Sequence, residues 1–123
     1  MKKVLIVEDQ ADIRKLLRMT LEFDDFEIHE AADGATGLAV ARELAPDIVL
    51  MDVMMPGSCS GLDVCRLIKA DPALRHAKVI MLSALGQAQD RQRGQQAGAD
   101  DYLVKPFRTA EVLASIYRLE TAM

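Results

Sequence analysis

Histidine and cysteine are scarce in this chain of 123 residues, with two of each, and it has no long hydrophobic run. Neither Cys59 nor Cys65 belongs to a C-x-x-C pair, and His29 and His76 have no partner spacing, so no ligand cluster points to Zn²⁺. The cysteines read as reduced thiols of an intracellular chain, Cys59 in a loop and Cys65 packed on a helix. The apolar run nearest the N-terminus, Val4 to Val7, stops at Glu8 and Asp9. That is far too short for a signal peptide or a membrane span, so a cytoplasmic protein without a membrane partner is expected. A clustered basic face is also missing, the net charge being −4 and the sequence pI ≈ 5.1. Arg91 and Arg93 read as a solvated helix face, and no nucleic-acid partner is expected. No repeat, linker or low-complexity tract divides the chain, and one domain over residues 1–123 is expected.

What is present is an alternation of two periods. Val4 to Val7, Ile48 to Met51, Val79 to Leu82 and the shorter Tyr102 to Val104 are continuous apolar runs, the mark of strands covered on both faces. Phe26 to Ala31 alternates weakly and suits an edge strand. Between these runs lie helical stripes. Ile13, Leu16, Leu17, Thr20 and Leu21 form one; Leu38, Ala41 and Leu44 form a second, after Asp33-Gly34 and before Ala45-Pro46. Leu62, Leu67 and Ile68 mark a third, closed by Asp71-Pro72. Val112, Leu113, Ile116 and Leu119 mark the last, with Thr109 as N-cap. The stretch from Gln87 to Ala97 has almost no large apolar residue. It is read as a short helix because parallel strands need a crossover. The seven methionines, Met51, Met54 and Met55 among them, read as core filler.

Five β-α units predict an α/β fold, a doubly wound five-stranded parallel sheet of order 2-1-3-4-5, flavodoxin-like. A six-stranded dinucleotide fold is disfavoured by length and by the missing G-x-G-x-x-G after the first strand. In such sheets ligands bind outside the carboxyl ends of the strands, where strand order reverses. Strand 1 ends in Glu8-Asp9, strand 3 in Asp52, strand 4 in Ser83 and strand 5 in Lys105. The order places strands 1 and 3 side by side, which brings Glu8, Asp9 and Asp52 into one crevice with Ser83 and Lys105 lining its far side. Three converging carboxylates repel one another and raise at least one pKa. A divalent cation and a lysine relieve this, and all-oxygen ligation with retained waters suits Mg²⁺ better than Ca²⁺. A metal, a hydroxyl, a lysine and a spare carboxylate fit phosphoryl transfer onto Asp52.

The segments VLIVEDQADIRKLL (Val4 to Leu17), PDIVLMDVMMPG (Pro46 to Gly57), VIMLSA (Val79 to Ala84) and GADDYLVKPF (Gly98 to Phe107) resemble, in order, four motifs of the two-component response-regulator receiver domain. The likeness runs from end to end. It implies that Glu8 and Asp9 are the acidic metal pair, that Asp52 is phosphorylated, and that the Met54 backbone carbonyl completes the Mg²⁺ shell. It further implies that Ser83 and Lys105 respond to the phosphoryl group, that Tyr102 is the aromatic switch, and that the Lys105-Pro106 peptide is cis. The loop after Asp52 reads one residue longer than the commonest family pattern, with Ser60 where an aspartate often precedes the glycine.

Other functions fit less well. A phosphatase of the haloacid-dehalogenase type needs an aspartate two positions after its nucleophile, where this chain has Met54. A flavodoxin wants a Ser/Thr-rich phosphate loop where this chain has Glu8-Asp9. A degenerate receiver should lack one acid or the lysine. The resemblance therefore implies a phosphoacceptor, not a turnover enzyme, that receives its phosphoryl group from a sensor histidine kinase or a histidine phosphotransfer protein. Its output would pass to a protein target through the face of helix 4, strand 5 and helix 5. A receiver cut from a larger response regulator or a hybrid histidine kinase would read the same way.

Overall fold

The structure is a computed structural model that describes residues 2–55 and 60–121. Its elements alternate along the chain: β1 (Lys2–Val7), α1 (Ala11–Leu21), β2 (Phe26–Ala31), α2 (Gly34–Leu44), β3 (Ile48–Asp52), α3 (Gly61–Ala70), β4 (Lys78–Ser83), α4 (Ala88–Gln96), β5 (Asp101–Val104) and α5 (Thr109–Thr121). All strand pairs are parallel, and the sheet order is β2-β1-β3-β4-β5. This is the expected doubly wound order. Among the described residues no helix is long and apolar enough to cross a membrane.

The continuous apolar runs become interior strands because each must fill two cores at once, and residue parity decides which. Val4, Ile6, Ile48, Leu50, Ile80 and Leu82 pack with Leu17 and Leu21 of α1 and with Val112, Ile116 and Leu119 of α5. Leu5, Val7, Val49, Met51, Val79 and Met81 face the other way, onto Ala41 of α2, Val64, Cys65 and Ile68 of α3, and Ala97 after α4. Side chains alternate across a strand, so successive residues serve opposite faces. Burying a Leu, Ile or Val contributes about 1.5–3 kcal/mol; the buried residues of the core under α1 and α5 are all of these types, whereas the other core also takes Ala, Met, Cys and Tyr.

Local signals set the helix ends. The Asp33 side chain accepts from the Thr36 N–H at the start of α2, and α2 stops at Ala45, which is left-handed with φ 50°. At α3, Ser60 and Asp63 form a reciprocal capping box. Three sequence expectations need correction. Leu16 and Leu67 are each 44% exposed, and the inward stripe of α3 is Val64, Cys65 and Ile68. Helical stripes are wider than a three-residue pattern can resolve, and the sheet selects which edge is covered. Thr109 is already helical rather than a cap. Met19 and Met54 are exposed, so only some methionines fill the core. Helix α4 is present and short, and its inward residues are small, Gly94 and the following Ala97. Residues 56–59, including Cys59 and most of the lengthened loop, lie outside the described residues.

Candidate functional site

Parity also explains the cleft. Glu8 continues the row Val4, Ile6; Asp52 continues Ile48, Leu50; and Lys105 continues Leu103, all on the face of α1 and α5. Ser83 continues Val79, Met81 on the opposite face, the face of Tyr102 and Val104. Apolar rows thus end in charged or polar residues at one edge of the sheet, where β1 and β3 are adjacent and their crossovers leave in opposite directions.

There, one carboxylate oxygen from each of Glu8, Asp9 and Asp52 lies within 4.8 Å of the others. Glu8 and Asp52 are buried, and Asp9 is exposed at the mouth. The Lys105 ammonium donates to Glu8 Oε1 at 2.6 Å and stands 3.4 Å from Asp52 Oδ1. Asp52 Oδ1 also accepts from the Met54 N–H at 3.2 Å. Asp9, Gln10, Asp52, Met54, Ala84 and Lys105 line a cleft of ≈ 220 Å³. Behind it, α3 begins directly against the Asp52 backbone. A Cβ at Gly61 would lie 2.1 Å from the Asp52 carbonyl oxygen, so the approach requires glycine.

Three carboxylates share one lysine, and the imbalance is visible in their protonation. Burial pushes the Asp52 carboxyl up from 3.8 to about 6, with the nearby Glu8 adding to the rise and Lys105 opposing it. Asp9 is raised as well, by desolvation first and then by Asp52. Glu8 Oε2 is buried with no hydrogen-bond partner. An orphaned carboxylate oxygen beside two further carboxylates, with only oxygen donors at hand, fits a small hard cation. Next to the cleft, Gln10, Ile13, Leu16, Ala84, Lys105, Pro106 and Phe107 line a larger, mostly apolar groove of ≈ 410 Å³.

On the opposite face, Ser83 Oγ accepts from the Leu85 N–H at 3.0 Å, and Tyr102 donates its hydroxyl to the Leu85 carbonyl at 2.6 Å. Tyr102 is buried, with the Arg91 guanidinium 5.7 Å from its ring centroid. The Lys105-Pro106 peptide is cis, and the Lys105 N–H donates to the Ser83 carbonyl at 2.7 Å. Leu85 as a link between Ser83 and Tyr102 was invisible in the sequence, because the link runs through its backbone. Gly61 and Arg14 were missed too. Only the glycine had a readable signal, its place just before an amphipathic stretch.

The fold and the cleft together define an α/β protein with an acidic pocket around a buried strand-end carboxylate. The chain belongs to the response regulator receiver domain family, whose family model matches residues 4–117. It is 44% identical over 117 residues to the transcriptional regulatory protein ResD of Bacillus subtilis, covering 95% of this chain and 47% of that protein. Among solved structures it is similar to the chemotaxis response regulator CheY4 of Vibrio cholerae, with TM-score 0.89 and 31% identity over 96% of this chain and 98% of that one. A receiver domain of a signal transduction histidine kinase from Syntrophus aciditrophicus gives TM-score 0.90 at 29% identity, covering 100% of this chain and 92% of that one. The chain spans about half the length of the curated relatives it matches. Receiver domains of two-component systems take phosphoryl groups from histidine kinases and do not turn over an external substrate.

Proposed function

We propose that Asp52 is the phosphoacceptor of this receiver, that it is loaded from a phosphohistidine with Mg²⁺ bound, and that residues 1–123 act as one such domain in the cytoplasm. The observation that carries the reading is a buried strand-end carboxylate on the floor of an open cleft, flanked by an acid pair and a lysine. The Asp52 carboxylate attacks phosphorus, an O–P bond forms, the P–N bond to the donor imidazole breaks, and the imidazole nitrogen keeps the electron pair. Asp9, Asp52, Glu8 and the Met54 backbone carbonyl would hold Mg²⁺. When bound, the ion neutralises charge on the phosphoryl oxygens. Lys105 would leave Glu8 for a second phosphoryl oxygen, and the Ser83 hydroxyl would turn from the Leu85 N–H to a third. Water later hydrolyses the acyl phosphate.

The apolar groove of Ile13, Leu16, Pro106 and Phe107 shares Gln10, Ala84 and Lys105 with the cleft. A donor reaching Asp52 would cover it, which supports a kinase or phosphotransfer protein as the partner there. Output follows from the Ser83–Leu85–Tyr102 relay. Recruiting Ser83 to the phosphoryl group draws its hydroxyl from the Leu85 N–H, loosens the Leu85 carbonyl that holds Tyr102, and alters the face of α4, β5 and α5 presented to a protein target.

Incubation with acetyl phosphate and Mg²⁺, read by intact mass, tests the assignment. One added phosphoryl group is expected, absent in Asp52→Asn and in EDTA. A wild-type chain left unlabelled where a control receiver labels, or an Asp52→Asn chain that still labels, overturns it.

A further inference from the structure

We propose that Arg14 is a positioning residue for the Mg²⁺-binding acids, an inference that rests on the Mg²⁺ reading of the cleft. Glu8 and Asp9 stand on the short turn between β1 and α1. That turn lacks the usual local fastening, because the N-cap residue Gln10 makes no side-chain capping bond. Arg14, one turn into α1, reaches back instead. Its Nη1 donates to the Glu8 carbonyl at 2.8 Å and lies 3.4 Å from the Asp9 carbonyl. Its Nε stands 3.3 Å from Glu30 Oε1 on β2. The other oxygen of Glu30 is taken by Arg18 Nε at 2.5 Å. The Glu8 N–H donates to the Ala31 carbonyl at 3.0 Å. The acid-bearing turn is therefore tied to β2 twice, by a backbone bond and through the guanidinium.

A guanidinium is a rigid planar fork, so fixing one edge on Glu30 aims the other at the two carbonyls. Arg14 touches none of the carboxylate oxygens that would meet the metal, and its effect is indirect. Two physical accounts of its removal predict opposite signs. Coulomb repulsion between Arg14 and an incoming cation means that deleting the charge would tighten Mg²⁺ binding. Loss of the tether lets the two carboxylates spread and weakens binding, as loss of an outer-shell partner does at other metal sites, by about tenfold or more.

Calorimetric Mg²⁺ titration of the full chain at constant ionic strength decides between them. Arg14→Ala should raise the Kd about tenfold. Arg14→Lys, which keeps the charge and loses the fork, should also weaken binding. Glu30→Ala should weaken it less, and should add nothing in the Arg14→Ala background because it acts through Arg14. The Mg²⁺ concentration needed for half-maximal labelling should rise with the Kd, while the rate at saturating Mg²⁺ falls less. Unchanged or tighter binding in Arg14→Ala overturns the proposal, as does full rescue by Arg14→Lys. Should Arg14→Ala fail to fold, Arg14→Lys and Glu30→Ala carry the same test. A wild-type chain that binds no Mg²⁺ overturns the Mg²⁺ reading itself, which is a separate outcome.

Discussion

Two partly buried lysines in this molecule each meet carboxylates, with opposite results. Lys69 of α3 donates to Asp100 Oδ2 at 2.9 Å and to the Ala77 carbonyl at 2.7 Å, and the same Asp100 oxygen accepts from the Val79 N–H at 2.8 Å. One cation faces one anion, and backbone groups complete the shell. Lys105 faces Glu8 and Asp52 with Asp9 close by, and Glu8 Oε2 stays without a partner. The first cluster is closed and ties the start of β4 to α3. The second carries surplus negative charge at an open cleft, and the proposed cation and phosphoryl chemistry rests on that surplus. Burial is similar at the two lysines, so completeness of pairing separates the brace from the proposed reactive centre.

Breaking each pair sharpens the contrast. Lys105→Met leaves Glu8 wholly buried and unpaired, and should cost about 3 kcal/mol or more in metal-free urea melts. Millimolar Mg²⁺ should recover much of that loss by supplying the missing charge. If Mg²⁺ recovers none, the two clusters do not differ in the way described. The pH dependence is next in size. The Asp52 carboxyl, raised from 3.8 to about 6, holds in the folded chain a proton that the unfolded chain releases. The metal-free protein should therefore lose stability as pH rises from about 4 to about 6, by about 3 kcal/mol from this group. Asp52→Asn should remove most of that slope and stabilise the metal-free chain at pH 7; a slope left intact would assign it elsewhere.

Lys69→Met should cost about 2 kcal/mol, less than a fully broken pair because Asp100 keeps the Val79 N–H. Mg²⁺ should not restore it, and Mg²⁺ affinity should not change. Smallest is Gly98→Ala. Gly98 has φ +98°, and a Cβ there would lie 2.8 Å from Lys69 Cγ. A cost of about 1–2 kcal/mol is expected, with Mg²⁺ affinity again untouched. A change in affinity in either variant would mean that the brace is coupled to the cleft.

Much of the fold was legible because it rests on short-range pattern. The apolar runs marked all five strands to within two residues, and Asp33-Gly34 marked the start of α2 through a capping bond only three positions long. Stripe edges were less legible: Leu67 reads as apolar and helical, yet lies outside. The candidate site divides in the same way. Glu8, Asp9, Asp52, Ser83 and Lys105 were picked out as polar residues ending apolar runs, and the sheet brings three of the five, the carboxylates, within 4.8 Å. The contact of Lys105 with Glu8, across 97 positions, depends on four parallel strands lying in register.

By itself, the sequence determined the alternation of strands and helices, the acids and the lysine at strand ends, and the family. These follow from periodicity and from the cost of burying charge, which act over a few residues. Tertiary structure alone decided which carboxylate Lys105 pairs with, which oxygen is left over, and that Arg14 holds the turn bearing Glu8 and Asp9. Those facts depend on parity across neighbouring strands and on side chains meeting from separate elements, and neither exists until the sheet is assembled.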